Sequence, residues 1–212
     1  MQFANRRIAG ETLGELLVDL APANPLVLAL PRGGVPVGYE VAKAFECDLD
    51  VLVVRKLGVP FQPELAMGAV AEGGVVIRNL ELLSHVGVGE QDFGRVEKVE
   101  RIELDRRLAA YRAVAGAVDP SERTTVIVDD GLATGSTALA AVAVMRERQA
   151  SQVWVAVPVA PRDTTAALER VADRVIVLHQ PSPFGAVGAW YRDFTQTDDD
   201  EVRELLADSR LR

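Results

Sequence analysis

Short apolar runs separated by helix-length segments are the feature that most limits what this chain can fold into. The runs lie at residues 26–30, 51–54, 125–128, 153–157 and 174–178. Strands that are apolar along their whole length are buried on both faces, as in a parallel sheet covered by helices on each side. We therefore predict a doubly wound, mostly parallel five-stranded α/β sheet. The intervening segments predict helices over residues 8–20, 36–45, 89–114, 136–149, 163–171 and 199–206.

The chain length fits one α/β domain, and we predict a single domain over residues 1–212. Residues 58–89 are rich in Gly and Pro and predict a flexible lid inserted into that domain. Residues 179–212 begin with an irregular aromatic stretch, which predicts a C-terminal hood followed by a tail helix. The predicted domain therefore consists of the sheet with its helices, a lid insertion, and a C-terminal hood with a tail helix.

The composition is that of a globular protein, with 49% hydrophobic and 25% charged residues. No apolar run approaches the roughly 18 residues needed to cross a membrane. A net charge of -8 argues against general binding to nucleic acid, since such binding neutralises phosphates. The N-terminal segment is positively charged at Arg6 and Arg7 but has no apolar region behind it, which predicts a cytoplasmic protein. A single Cys47 and two histidines cannot supply a dense zinc cluster.

Two aspartates, Asp129 and Asp130, follow the third apolar run and lead into a loop that opens the next helix. The loop reads Gly131-Leu132-Ala133-Thr134-Gly135-Ser136-Thr137. Backbone amides at a helix N-terminus, with glycines and hydroxyl side chains, favour a phosphate. The two carboxylates would repel a bare phosphate, so the ligand should also offer hydroxyls or a metal, as a ribose 5-phosphate does. An ordinary turn with an Asp cap is the alternative, but it accounts for only one Asp and one Gly.

This ordered set resembles the signature of the type I phosphoribosyltransferases, which bind 5-phosphoribosyl-1-diphosphate (PRPP), and within them the adenine-type enzymes most. The resemblance implies that Asp129 and Asp130 hold the ribose hydroxyls and that residues 133–137 hold the 5-phosphate. The PRPP-binding residues predicted here are Asp129, Asp130, Gly131, Ala133, Thr134, Gly135, Ser136 and Thr137. Mg²⁺ is the cofactor that the resemblance implies.

A second loop follows the first apolar run and contains Arg32, Gly33 and Gly34. In the family that the chain resembles, this loop binds the diphosphate, often through a non-proline cis peptide. A tight strand-to-helix turn would account for the glycines but not for the arginine. After the second run come Arg55 and Lys56, which resemble the basic pair that opens the catalytic loop of adenine-type enzymes. We predict that this pair stabilises the leaving diphosphate, with a solvated basic turn as the alternative.

Other side chains are candidates for catalysis and for the acceptor. Glu64 and Glu72, in the predicted lid, are candidate acid or base groups. The aromatic residues Phe184, Trp190 and Tyr191 could hold a planar base by stacking, or could form a hydrophobic flap over the sheet edge.

The stretch around Asp193 is similar to one in the hypoxanthine-guanine enzymes, which implies a magnesium contact at Asp193 beside that at Asp129. Those enzymes carry an acidic residue where this chain has Ala133, which argues against a 6-oxopurine acceptor. The acceptor therefore stays open on the sequence.

The function predicted is transfer of the phosphoribosyl group from PRPP to a nitrogenous base or other small nitrogen acceptor. A regulatory protein that senses PRPP or a nucleotide without catalysis is the alternative. PRPP synthases come last, because they are longer and have an ATP site. The fingerprints of ATP-binding loops, dinucleotide-binding folds and esterase elbows do not occur. A homodimer is one assembly that the sequence leaves open.

Overall fold

The computed structural model describes residues 2–20 and 22–211, apart from the side chain of Glu64. Among those residues, no helix combines the length and the apolar character needed to span a membrane. The first elements are α1 (Arg6–Val18), β1 (Pro25–Ala29), α2 (Gly34–Phe45), β2 (Asp48–Val51), β3 (Val54–Val59), β4 (Gln62–Ala71) and β5 (Val76–Arg78). Next come α3 (Leu80–Val86), α4 (Glu90–Arg112), β6 (Thr124–Val128), α5 (Ser136–Glu147), β7 (Gln152–Val159), α6 (Arg162–Leu168), β8 (Arg174–His179) and α7 (Asp199–Ser209). Short 3-10 turns occupy Glu72–Gly74 and Val187–Trp190.

The main sheet has five strands in the order β2-β1-β6-β7-β8, and every pairing in it is parallel. The predicted α/β class with a five-stranded parallel sheet is confirmed. Apolar side chains fill both faces of the sheet, which explains why β1, β6 and β7 are apolar along most of their length. The chain runs from β1 outward to β2 on one side and to β6 on the other. Such a reversal opens a ligand crevice at the carboxyl ends of the two central strands.

One predicted strand is wrong in extent. The apolar run at residues 51–54 spans the end of β2 and the start of β3, which belong to different sheets. Leu52 and Val53 between them are buried like the strands on either side, so apolar character continues through the break. A pattern based on burial cannot mark a change of direction in a segment that stays buried.

The predicted lid is built differently from the irregular insertion that its glycines and prolines indicated. Strands β3, β4 and β5 form a three-stranded antiparallel sheet in that order. Gly58 and Gly68 lie inside the strands, where an added Cβ would come within 2.4 Å of a carbonyl oxygen of the neighbouring strand. These glycines permit close strand packing, so glycine content was a misleading sign of irregular structure. Residues 58–78 and α3 account for most of the segment.

The segment that precedes α1 joins the C-terminal hood through backbone hydrogen bonds. The amide of Phe3 donates to the Trp190 carbonyl at 2.8 Å, and the amide of Arg192 donates to the Phe3 carbonyl at 2.9 Å. The Phe3 and Tyr191 side chains pack with Ala9 and Val159 in a small apolar cluster at the end of β7. The segment before α1 and the hood thus meet beside the carboxyl edge of the main sheet.

Candidate active site

The loops after β1 and β6 contact each other at the crevice between the two central strands. The Leu30 amide donates to the Val128 carbonyl at 2.8 Å, which continues the β1–β6 ladder beyond the strands. An added Cβ at Gly34 would lie 2.7 Å from the Val128 oxygen, and one at Gly33 would lie 2.1 Å from Oδ2 of Asp130. A larger residue at Gly34 would force the loops apart, and one at Gly33 would displace the Asp130 carboxylate. The glycines therefore bring the predicted diphosphate loop against the aspartate pair.

Arg32 in the same loop follows a cis peptide bond from Pro31, the conformation that the resemblance describes for this loop. The Arg32 side chain is half-buried, and within residues 2–20 and 22–211 it forms no hydrogen bond or ion pair. A guanidinium without a carboxylate partner keeps its donors available for an anionic ligand.

The loop after β6 surrounds a cavity of about 240 Å³ at the N-terminus of α5. Thr164 Oγ1 donates to the Ala133 carbonyl at 2.6 Å, and Gly135 adopts a left-handed φ of 70° just before the helix. The first amides of a helix have no intrahelical acceptor, so an anion in this cavity would find donors there. The structure brings seven of the predicted PRPP-binding residues onto this cavity: Asp129, Gly131, Ala133, Thr134, Gly135, Ser136 and Thr137.

The surroundings of Asp129 and Asp130 disfavour the ionised form of both carboxyl groups. Burial and the neighbouring charge of Asp130 raise the pKa of Asp129 well above its usual value. Burial also raises the pKa of Asp130, although the Arg6 guanidinium opposes that shift. Asp129 Oδ1 accepts the amide of Asp130 at 2.9 Å. A ligand that brings hydroxyl donors or a cation would relieve this unfavourable concentration of charge.

Arg6 is a site residue that the sequence analysis missed. Its Nε donates to Asp130 Oδ2 at 2.7 Å, and its Nη1 donates to the Thr195 carbonyl at 2.7 Å. The guanidinium also lies over the Phe194 ring, 3.9 Å from the ring centroid. The only signal in the sequence was positive charge near the N-terminus. Nothing local indicated a partner 124 positions away.

The basic pair of the predicted catalytic loop lies within a strand. Arg55 and Lys56 belong to β3. The expectation that they directly follow a core strand is wrong, because the apolar run at residues 51–54 crosses from the main sheet into the antiparallel one. Arg55 donates to Glu100 of α4 at 2.7 Å. Both basic residues line a cavity of about 660 Å³ that also reaches Thr137 in the loop after β6. The pair thus borders the loop after β6 from the side of the antiparallel sheet.

Of the two glutamates of the predicted lid, only Glu72 has a side chain that the structure describes. Glu72 accepts hydrogen bonds from Nε and Nη2 of Arg112 at 2.7 and 2.5 Å. The same Arg112 pairs at 2.6 Å with Asp50, which is 2% exposed. Glu72 therefore anchors the antiparallel sheet to α4 and β2, and its carboxylate is engaged in that contact. Glu64 lies on β4, and its side chain is outside the described part of the structure.

The hood aromatics separate into a buried ring and a more accessible pair. Tyr191 is 4% exposed, and its ring packs against Phe3 and Phe194. Its hydroxyl donates to the Asp130 carbonyl at 2.5 Å, so Tyr191 supports the aspartate pair from behind. Trp190 and Phe184 are half-buried, and Trp190 Nε1 donates to the Phe184 carbonyl at 3.0 Å.

The two predicted magnesium contacts line different cavities. Asp193 is exposed, accepts the Thr195 amide and hydroxyl, and lines a cavity of about 210 Å³ beside Arg6. Asp129 lines the cavity at the N-terminus of α5. Across the described residues, His, Cys, Asp and Glu form no group of three or more suited to a metal. Mg²⁺ at a phosphate substrate commonly uses one or two carboxylates, and the half-buried Asp129, which lines the cavity at the start of α5, fits that role.

The sequence matches the phosphoribosyl transferase domain family over residues 2–188, so the chain belongs to that family. Its main sheet and helices have the type I phosphoribosyltransferase fold.

Two curated proteins of Mycobacterium tuberculosis, from strains CDC 1551 and H37Rv, are 48% identical to the chain over 204 residues and are provisionally named phosphoribosyl transferases. The alignment covers 96% of this chain and 46% of each relative, so the chain spans less than half of their length. The solved structure of TT1426 from Thermus thermophilus is 40% identical, with a TM-score of 0.93 over 98% of this chain and 99% of that one. A hypoxanthine-guanine phosphoribosyltransferase of Bacillus anthracis, 8% identical with a TM-score of 0.51 over 91% of this chain and 93% of that one, shares the fold alone.

Proposed function

We propose that the protein transfers the 5-phosphoribosyl group from PRPP to a small nitrogenous acceptor and releases diphosphate. The observation that carries this proposal is the phosphate cavity, where Asp129 and the loop of residues 131–137 meet at the N-terminus of α5. A helix N-terminus favours the 5-phosphate, and adjacent carboxylates favour the ribose hydroxyls. No bare phosphate and no nucleoside alone would satisfy both halves of the site.

The remaining donor contacts follow from the neighbouring loops. Arg32, with the backbone amide of Gly33, would hold the diphosphate, while Gly34 lets the loop approach β6. Arg55 and Lys56, on the cavity that reaches Thr137, would add positive charge on the other side. Mg²⁺, when bound with PRPP, would neutralise charge on the diphosphate, with Asp129 as its protein contact and Asp193 as a second candidate.

In the reaction, the bond between C1 of the ribose and the diphosphate oxygen breaks, and its electron pair leaves with the diphosphate. The acceptor nitrogen then forms a bond to C1, and the nitrogen's proton, where it has one, passes to solvent or a base. Positive charge develops on the sugar while negative charge grows on the leaving group. Arg32 and Lys56 would stabilise that growing negative charge.

Exclusion of water protects the electron-poor sugar from hydrolysis. We assign that role to the antiparallel sheet β3–β5 as a lid and to the hood, the irregular stretch between β8 and the tail helix α7, both parts of one domain. The tip of the β3–β4 hairpin carries Phe61, whose side chain is 70% exposed. An exposed aromatic ring at a hairpin tip is suited to close over a ligand.

Trp190 and Phe184 are the proposed acceptor contacts, since a half-buried ring can still stack on a planar base. Tyr191 would act through Asp130 rather than touch the acceptor, because its ring is covered by Phe3 and Phe194. Ala133 supplies no carboxylate to take a proton from a 6-oxopurine. The cytoplasmic location and the homodimer stay predictions. Binding to nucleic acid is not expected at a net charge of -8.

The test combines PRPP binding with turnover. By titration calorimetry with Mg²⁺, the wild type should bind PRPP, and an Asp129→Asn/Asp130→Asn variant should lose at least about 100-fold in affinity while unfolding as cooperatively as the wild type. The control is Asp105→Asn, which removes a negative charge from an exposed position on α4. Unchanged PRPP affinity in the double variant would contradict the site.

Turnover decides between an enzyme and a sensor. The wild type should release diphosphate from PRPP in the presence of at least one member of a panel of nucleobases and small amines. PRPP binding without diphosphate release for any acceptor would instead support a regulatory protein. The M. tuberculosis relatives are longer, so the panel should also be run with one of them as a comparison.

A further inference from the structure

Arg6 connects three parts of the molecule that the sequence separates widely. It begins α1, its Nε contacts Asp130 after β6, and its Nη1 contacts Thr195 in the hood. The Arg6 side chain is 11% exposed and the Asp130 side chain 14% exposed, so the pair is largely shielded from solvent. An ion pair in such a setting is held in one geometry far more firmly than a surface pair.

Arg6 contacts only one of the two oxygens of the Asp130 carboxylate. Arg6 binds Oδ2 of Asp130, and among the described residues no other side chain donates to this carboxylate. The Tyr191 hydroxyl fixes the backbone carbonyl of the same residue. A carboxylate held at one oxygen and at its own backbone has its second oxygen in a fixed position, ready to accept a hydroxyl.

We propose that Arg6 is a positioning residue for the ribose of the donor. This inference rests on the proposed function. Arg6 holds the Asp130 carboxylate so that Oδ1 accepts a ribose hydroxyl of PRPP. Its contacts to the Thr195 carbonyl and the Phe194 ring fix the guanidinium itself, so the hood contributes to donor binding.

Arg7 provides a matched control on the next residue. It carries the same charge but is 56% exposed, and it pairs with Glu40 of α2 instead of Asp130. Substitution of Arg7 by Gln removes one positive charge from α1 without changing any contact to the aspartate pair. A general effect of charge on PRPP would therefore be the same in Arg6→Gln and Arg7→Gln.

The experiment compares PRPP with inorganic diphosphate, a ligand that has no ribose. In calorimetry with Mg²⁺, Arg6→Gln should bind PRPP about tenfold more weakly than the wild type but bind diphosphate with unchanged affinity. Arg7→Gln should bind both ligands like the wild type. Arg6→Lys keeps the charge but cannot donate to Asp130 and Thr195 in one planar group, so we expect an intermediate loss for PRPP alone.

The outcomes separate this inference from the proposed function. If the wild type binds PRPP and Arg6→Gln binds it equally well, the role of Arg6 is wrong and the function stands. Equal weakening of PRPP and diphosphate would also overturn the inference, since it would show a general structural effect. If Arg6→Gln does not fold, Arg6→Lys decides, and wild-type PRPP affinity in that variant overturns the inference. A wild type that does not bind PRPP overturns both.

Discussion

Gly34 lies where the loop after β1 touches the end of β6, and no side chain fits there. An added Cβ would lie 2.7 Å from the Val128 oxygen and 2.9 Å from the Asp129 Cα, both of them backbone atoms. Backbone cannot rotate away as the end of a long side chain can. The strand pair must therefore shift to admit even a methyl group, and the shift would move the aspartate pair.

For Gly34→Ala we expect a loss of about 1–3 kcal/mol in the free energy of unfolding, because of that steric conflict. Urea denaturation would measure it. The control is Gly94→Ala in α4, where an added Cβ has nothing within 4 Å. There alanine should stabilise by about 1 kcal/mol through its higher helix propensity. Equal effects at the two positions would contradict the packing described at the crevice.

Asp129 should make the fold less stable at neutral pH. Its pKa is raised in the folded state by burial and by the charge of Asp130, so ionisation is less favourable there than in the unfolded chain. The free energy of unfolding is therefore highest, as far as Asp129 is concerned, below the unfolded pKa of about 3.9, where Asp129 is protonated in both states. This contribution is lost as the pH rises through the folded pKa of Asp129.

Asp129→Asn should therefore be more stable than the wild type at pH 7, and the difference should shrink toward about pH 4. Thermal melts across this range, in buffer with a chelator, would measure it. The exposed Asp105→Asn is the control for a change in net charge. A variant less stable than the wild type at pH 7 would show that the folded protein favours the ionised form.

At the scale of the elements, Arg112 near the end of α4 joins the antiparallel sheet to the main one. It donates to Asp50 of β2 and to Glu72 after β4. The Asp50 carboxylate also accepts the amides of Val51 and Val118. A single guanidinium therefore fixes the base of the proposed lid against the domain that it would cover.

Arg112→Met should cost about 3 kcal/mol or more in the free energy of unfolding, because the buried Asp50 would lose its cation. Urea denaturation would measure this loss. Arg106→Met is the control on the same helix, since Arg106 is 60% exposed and pairs with Glu103 at the surface. That change should be worth less than about 1 kcal/mol. Similar losses in both variants would mean that burial of the Arg112 network contributes little.

The elements also show how far the sequence determines the structure. Four strands of the main sheet, β1, β6, β7 and β8, follow from their apolar runs. The loop of residues 131–137 could be recognised as one that opens a helix because its residues are contiguous, and its binding of a phosphate stays a prediction. The change of sheet between β2 and β3 could not be predicted, because Leu52 and Val53 are as buried as the strands beside them. Arg6 could not be assigned to the site from the sequence, because its partner Asp130 is 124 positions away and no local sequence pattern predicts a contact over that distance.

For the whole molecule, the hood depends on its contact with the beginning of the sequence. Phe3 is 3% exposed and packs on Tyr191, whose hydroxyl in turn holds the Asp130 carbonyl. The Phe3 backbone also pairs with Trp190 and Arg192. Loss of the Phe3 ring should thus loosen the hood while leaving the main sheet intact.

In Phe3→Ala we expect a loss of about 3 kcal/mol in stability and greater quenching of Trp190 fluorescence by acrylamide. A Trp154→Phe background isolates the Trp190 signal. The comparison is Phe61→Ala, because Phe61 is 70% exposed at the tip of the β3–β4 hairpin and should leave both stability and quenching unchanged. Quenching that stays at the wild-type level in Phe3→Ala would show that the hood holds its position without the N-terminal contact.

The contact of residues 2–6 with residues 189–195 has a consequence for how the protein is made. Arg6 and Thr195 are 189 positions apart. On the ribosome, Arg6 therefore cannot meet Thr195 until the whole chain between them has been translated. At about 5–20 residues per second, this wait lasts on the order of ten seconds or more. The central sheet can form from earlier segments, whereas the contact of Arg6 with Thr195 forms only when the hood emerges. In a nascent chain stalled before the hood, the Asp130 carbonyl would lack its hydrogen bond from Tyr191. On the proposed function, such a chain should bind PRPP more weakly than the finished protein.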